Sequence, residues 1–420
     1  MNFEFFLSKN RINRNIILSI SDNHFKTDYK LTTPLMISSE DWDQEKQRPK
    51  NIYLKHHKIF NQRLDSLKVN LTEYIHQKIS GSKKVTEKKL LEIINKVCSQ
   101  NNEEYSENDL LHFVNQYINN RKELICYSTY KRYKVFSNLI KRFEGFIKNR
   151  ININNVNFEF IRNFILFGKD ESYSENTIYR TLNFIKTILN YIERRGITTS
   201  IREFEFRQEK SQREVITLSE EEITQIKIAE VPEALQNSKE WLLISCYTGQ
   251  RISDFMNFKI DMLFEINGKL CMNFIQQKTK KKIILPLHPI VLDIIRNNDN
   301  NFPKPLNTHL YNGNIKKIAQ IAKINFKIKA KKRIGHRVKN LVIEKWEILT
   351  SHIGRRSFAT NFYGKIPTSL LISATGHATE QMFLNYINPF DKDQIVCLGN
   401  HFDEIHKKQS SSTYYNSKKR

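Results

Sequence analysis

The chain has 420 residues, 39% hydrophobic and 27% charged, ample for a buried core and long enough for two or three domains. Its 68 Lys and Arg against 44 acidic residues give a formal net charge of +24 and a pI near 9.6, an excess that points to a polyanionic partner, nucleic acid ahead of a membrane surface. No run approaches the roughly 18–20 apolar residues that span a bilayer, and Met1-Asn2-Phe3-Glu4-Phe5-Phe6 lacks a secretory leader, so both membrane-spanning and secreted classes are disfavoured.

In chain order, Asn15–Ile20 alternates as a strand does, Thr32–Ile37 is a second candidate strand, and Ser39-Glu40-Asp41-Trp42-Asp43 ends this small unit. A basic helix is expected from Tyr53. The next stretch is helical: Tyr127–Lys134 interleaves aromatics with bases, and Ser172 with Glu175 has capping-box spacing. Beyond it, Ile178, Leu182, Ile185, Leu189 and Ile192 mark one buried helix face. Residues 201–216 form a charged linker. Ser219-Glu220-Glu221-Glu222 then opens a new domain with another capping box, its acids suited to a helix N-terminus. Trp241–Tyr247 has the length of a buried helix. The last residues, from Gln409, are polar and expected to be disordered. Five cysteines (98, 126, 246, 271, 397) are odd in number and form no CxxC pair, which fits a reducing cytoplasm better than a disulfide framework or a zinc site.

The chemistry-bearing stretches are Tyr247-Thr248-Gly249-Gln250-Arg251-Ile252-Ser253-Asp254; Gln277-Lys278-Thr279-Lys280-Lys281-Lys282 running to Pro286-Leu287, a hairpin with a basic turn; and Ser351-His352-Ile353-Gly354-Arg355-Arg356, continuing through Thr375-Gly376-His377 to Tyr386-Ile387-Asn388. Singly each is weak. A lone TG-x-R is more often a helix break beside a salt-bridged arginine, a lone His-x-x-Arg is more often a surface pair, and one tyrosine among 17 means nothing.

Together, in this order and spacing, they resemble the catalytic domain of the tyrosine recombinases, the phage integrase family. The family pattern is an arginine in TG-x-R-x-S-[DE], a lysine on a β-hairpin, H-x-x-R, then GH with the nucleophilic tyrosine nine residues after its histidine. Arg251, Lys278, His352, Arg355, His377 and Tyr386 fill those positions, and Asp254 fills the acidic one. Lys280, Lys281 and Lys282 compete with Lys278, which the eight-residue spacing to Pro286 favours; Tyr363, Tyr414 and Tyr415 stand at the wrong distance from His377. The family usually has Leu before the second arginine and His after it; here they are Gly354 and Arg356, and Gly354 inside a predicted helix should cost about 1 kcal/mol relative to Ala.

The chemistry asks for these residue types. Breaking a phosphodiester requires lowering the barrier by something like 20 kcal/mol. Two guanidiniums can clamp the non-bridging oxygens and cannot lose their charge at neutral pH. A tyrosine of ordinary pKa, about 10, is roughly one part in a thousand ionised at pH 7 and needs a proton acceptor or a positive field. The leaving 5′-oxygen needs a proton, for which Lys278 is the candidate general acid, worth roughly 10²- to 10⁴-fold. The 3′-phosphotyrosine bond would store the energy for religation, so no ATP, cofactor or metal is expected, in keeping with the lack of a P-loop motif.

The resemblance implies a multidomain, mainly α architecture: a small α+β arm-type DNA-binding domain with its following helix (1–100), a helical SAM-like core-binding domain (101–208), an α-rich catalytic domain with a small antiparallel sheet (209–406), and a polar basic tail (407–420). It implies double-stranded DNA as partner, at core and arm-type sites, with four protomers on two sites and accessory bending or excision factors. The arm-type domain and the length favour an integrase of a bacterial mobile element, acting in the cytoplasm at the nucleoid. A DNA invertase, a type IB topoisomerase and a catalytically silent DNA-binding regulator are the alternatives. Two further expectations concern the ends of the catalytic domain: Asp391–Lys407 as a helix docking on a neighbouring protomer or on its own domain, and Lys327–Arg333 with Arg337 and Lys339 either as a solvated loop or gripping phosphates.

Overall fold

A computed structural model describes residues 1–8, 13–22, 28–51, 54–99, 105–208, 215–334 and 337–387, with 399–400, 402–403 and 406. It divides into two compact units, Met1–Glu209 with Arg333–Lys339, and Lys210–Lys332 with Asn340–Arg420. Among the described residues no helix is long and apolar enough to cross a membrane.

The first unit opens with an antiparallel sheet of β1 (Asn2–Leu7), β2 (Asn13–Ser21) and β3 (Tyr29–Ser38), in that order. Both expected strands are present. β1 is an addition, although Phe3 and Phe5 are buried at alternate positions, as a one-faced strand requires. The two-residue strands β4 (Trp42–Asp43) and β5 (Arg48–Pro49) seat Trp42 edge-on against Phe60 of α1 (Lys55–Ser80). α2 (Glu87–Ser99) closes the layer, burying Leu90 and Ile94.

A helical bundle follows in the same unit: α3 (Leu110–Arg121), α4 (Tyr127–Ile147), α5 (Phe158–Asp170) and α6 (Glu175–Glu193). The periodic face read from the sequence, Ile178 to Ile192, is buried in α6. Its cap is Ser174, whose side chain accepts the Thr177 N–H, and not Ser172. Ser172 has φ +57° and donates its N–H to the Lys169 carbonyl, so it ends α5 instead of starting α6. The charged linker begins anchored: a 3-10 turn at Ile201–Glu203 is followed by Phe204, fully buried in the bundle core.

The second unit starts with α7 (Glu220–Ile228), whose Ser219–Glu222 capping box forms as expected. α8 (Glu233–Thr248) is the central helix, buried on every side from Glu240 onward, which is why its sequence lacks an amphipathic stripe. α9 (Ile252–Phe255) leads to a sheet of β6 (Leu263–Ile266), β7 (Lys269–Ile275) and β8 (Lys282–Pro286), and the β7–β8 turn carries Lys278. α10 (Pro289–Asn297) and α11 (Thr308–Ile321) pack on α8. Next come β9 (Lys327–Ile334) and β10 (Arg337–Glu344), a two-stranded ribbon where a loop was one of the expectations. α12 (Ile353–Phe362), α13 (Thr368–Thr375) and α14 (Glu380–Leu384) complete the unit. Asn388, most of the expected helix over 391–407, and the tail from 407 lie outside the described residues.

Candidate active site

The ends of α8 and α13 and the Tyr386 ring beyond α14 meet at Arg355 of α12. The helix that carries it, α12, lies against α8 so closely that a Cβ on Gly354 would stand 1.9 Å from Ser245 Oγ. The glycine that sequence alone marks as a helix defect is therefore what lets Arg355 sit at full depth, 0% exposed. α8 ends at Gly249 (φ +65°) and α13 at Gly376 (φ +71°), both left-handed caps. A Cβ at either would also collide, with Phe358 or with Gln276.

These two helix ends supply the acceptors. Arg355 Nη1 donates to the Gly249 carbonyl (2.9 Å), and Nη2 donates to the Thr375 carbonyl (2.8 Å) and to His377 Nε2 (2.9 Å). Arg355 Nε is left without a hydrogen-bond partner among the described residues. Burial, then the neighbouring charge of Arg251, push its pKa down to about 10, still well above neutral pH, so it stays charged.

The tautomer of His377 follows from its partners. Thr375 Oγ1 donates to the Leu371 carbonyl (2.6 Å), so it accepts from His377 Nδ1–H at 2.8 Å, and Nε2 keeps a lone pair for Arg355. His377 is thus neutral. Burial first, then Arg355, Arg251 and Lys281, push its pKa down to about 3. His352 reaches the surface at the start of α12; desolvation, followed by the charges of Arg356, Arg355, Arg251 and Lys278, lowers its pKa too.

Tyr386 is half-buried above a small apolar cluster of Phe358, Leu371, Phe383 and Ile387. Its ring centroid lies 4.9 Å from that of His377 and 5.5 Å from the Arg355 guanidinium carbon. Tyr363 packs instead on Phe383, while Tyr414 and Tyr415 lie outside the described residues.

Arg251, partly exposed, is held through Gln276: its Nη1 donates to Gln276 Oε1 at 3.1 Å. The turn bearing Lys278 is pinned on both flanks, by Gln277 N–H donating to Asp254 Oδ1 (2.8 Å) and by Lys281 Nζ donating to the His377 carbonyl (2.9 Å). Lys281 is thereby occupied. Lys280 adopts φ +56° at the bend, and Lys278 is exposed near His352. The structure brings Arg355, His377 and Tyr386 into contact, ties Arg251 to them through Gln276, and leaves Lys278 and His352 exposed nearby. Sequence reading missed Gln250, Gln276 and Thr375, the buried polar groups that join the parts of the site. Two of them stand inside motifs already singled out, and a glutamine beside a basic turn is no signal by itself.

The helical frame, the hairpin and this arginine-centred site define a tyrosine recombinase fold. A model of the phage integrase SAM-like domain matches residues 109–204, and a model of the phage integrase family matches 217–393, together well over half of the chain. The chain belongs to the phage integrase family, the tyrosine recombinases, a class of DNA-cleaving and rejoining enzymes. No curated protein sequence matches it. Among solved structures, the Tn1549 transposon integrase in complex with a circular intermediate DNA is similar with 15% identity and a TM-score of 0.53, over 70% of this chain and 100% of that one. The same integrase with transposon right end DNA gives 14%, 0.51, 70% and 99%. A lambda integrase dimer bound to a COC′ core site gives 16%, 0.50, 67% and 97%. At these identities the likeness bears on the fold alone.

Proposed function

We propose that the protein is a site-specific recombinase of the integrase type, which cleaves and rejoins double-stranded DNA through a 3′-phosphotyrosine linkage to Tyr386. The observation that carries this reading is the hub at Arg355, which gathers His377, the ends of α8 and α13, and the Tyr386 ring around one buried charge. In the reaction, Tyr386 Oη attacks phosphorus and the bond to the 5′-oxygen breaks. Arg251 and Arg355 offset the charge on the non-bridging oxygens. Lys278, exposed at the tip of its turn, gives its proton to the leaving 5′-oxygen.

The proton of Tyr386 goes to His352. His377 has no free lone pair, since Nδ1–H faces Thr375 and Nε2 is taken by Arg355. Desolvation and four cationic neighbours lower the His352 pKa, which favours the neutral ring that a proton acceptor needs. Religation runs the same steps backward, with the free 5′-hydroxyl as nucleophile.

In this reading residues 1–100 bind arm-type sites, 101–208 grip the core site with the catalytic domain of 209–406, and four protomers act on two sites within a bacterial mobile element. The DNA in the Tn1549 and lambda integrase complexes supports a DNA partner. The reading is tested by incubating the protein in EDTA with nicked duplexes that trap cleavage. A denaturant-stable adduct at a 3′-phosphate is expected. Tight binding with no adduct on any duplex carrying the element's ends would favour a catalytically silent regulator instead.

A further inference from the structure

We propose that Gln276 is a positioning residue that holds the lysine-bearing turn and the Arg251 guanidinium in one register; the proposal rests on the reading of Lys278 as general acid. Gln276 is the base of the turn in two senses. Its backbone closes it, the N–H donating to the Lys281 carbonyl and the carbonyl accepting the Lys280 N–H, each at 2.9 Å. Its side chain runs inward and is fully buried.

Every hydrogen-bonding capacity of that amide is used. Oε1 accepts from Arg251 Nη1 (3.1 Å) and from the Thr279 hydroxyl (2.5 Å). Nε2 donates to Gln250 Oε1 (3.0 Å) and to the Thr375 carbonyl (3.0 Å), the same carbonyl that receives Arg355 Nη2. An amide has two acceptor and two donor positions, so it is saturated, and its orientation is fixed because a flip would set Nε2 against a guanidinium and Oε1 against a carbonyl. Gly376 leaves room for it, since a Cβ there would lie 2.6 Å from Oε1. One side chain thus ties together the turn of the acid, the first arginine and the second arginine's acceptor. Lys278 rides on this turn, so the turn sets its place.

The consequence is chemically specific. An alkoxide leaving group needs a proton, whereas a thiolate leaves near neutral pH without one. Cleavage is therefore measured on trapping duplexes with either the ordinary 5′-oxygen or a bridging 5′-sulfur at the scissile phosphate. The variants are Gln276→Met, Thr279→Val and Lys278→Ala, each checked for DNA affinity and melting temperature. Gln276→Met should slow cleavage of the oxygen duplex about a hundredfold, the scale of a lost general acid, and of the sulfur duplex at least tenfold less. Thr279→Val, which removes one surface hydroxyl, should show the same selectivity more weakly with an intact fold.

Equal slowing on both duplexes would overturn the positioning of the acid, since a displaced Arg251 slows oxygen and sulfur alike, and no slowing on oxygen would overturn the role altogether. The role of Gln276 and the role of Lys278 fail separately. Relief by sulfur in Lys278→Ala without relief in Gln276→Met removes only the role of Gln276, while a Lys278→Ala protein equally slow on both duplexes removes Lys278 as the acid.

Discussion

Two residues of the candidate site show how local packing sets their behaviour. At Gly354 the backbone of α12 is pressed onto Ser245 of α8. Ala is the better helix former by about 1 kcal/mol, yet Gly354→Ala should destabilise the protein by about 1–3 kcal/mol, because the methyl group has no space. Urea unfolding reads this directly, and a variant as stable as wild type would contradict the packing. His377 makes a pH prediction. Its native pKa is pushed down to about 3 from an ordinary 6.5, so below pH 6.5 the unfolded chain takes up a proton that the native state refuses. Stability is therefore lost as pH falls from about 6.5 toward 3. Between pH 7 and 5 the loss from this group amounts to about 2 kcal/mol, which His377→Gln should abolish. An identical pH dependence in the variant would show that His377 titrates normally.

At the scale of elements, the ribbon of β9 and β10 turns a charge run into a surface. Lys327, Lys329 and Lys331 are exposed at every second position of β9, while Ala330 is buried between them. A strand repeats its facing every second residue, so these three ammonium groups share one face. Replacing the three with Ala should reduce the salt dependence of DNA binding by roughly 0.9 log unit for each phosphate no longer neutralised. An unchanged slope would mean that the ribbon does not touch the backbone. The sequence showed the charges but not the ribbon, because Lys-rich strands lack the apolar alternation by which β2 and β3 could be read. The α6 face was legible for the opposite reason, since five aliphatic residues at helical spacing leave one solution. The Ser172 error came from a capping pattern two residues early, where left-handed backbone decides and composition does not.

At the scale of the molecule, the first unit joins α1 of its sheet layer to its helical bundle through a buried ion cluster. Asp65 of α1, buried, receives Arg48 at 2.5 Å and Arg142 of α4 at 3.3 Å, and Arg142 continues to Glu171 at 2.9 Å. Gly145 permits the approach, since a Cβ there would lie 2.5 Å from that of Asp65. Removing one member of a buried ion cluster strands the others, so Asp65→Ala should cost about 3–5 kcal/mol, and calorimetry should then resolve the layer and the bundle as separate transitions. A single transition at the wild-type temperature would contradict this. Such a network, running from Arg48 to Glu171, joins residues far apart in the chain and leaves no local pattern. The candidate site residues, also far apart, were legible only because their order and spacing match a family; the amides that join them were not.

The proposed point of attachment to DNA is Tyr386. It is tested most directly by trapping wild type and Tyr386→Phe on the same nicked duplex and sequencing the DNA-linked peptide by mass spectrometry. A wild-type adduct is expected on the peptide containing Tyr386 and none in the variant, with duplex affinity unchanged. An adduct that persists in Tyr386→Phe, or that maps to Tyr363, would contradict it.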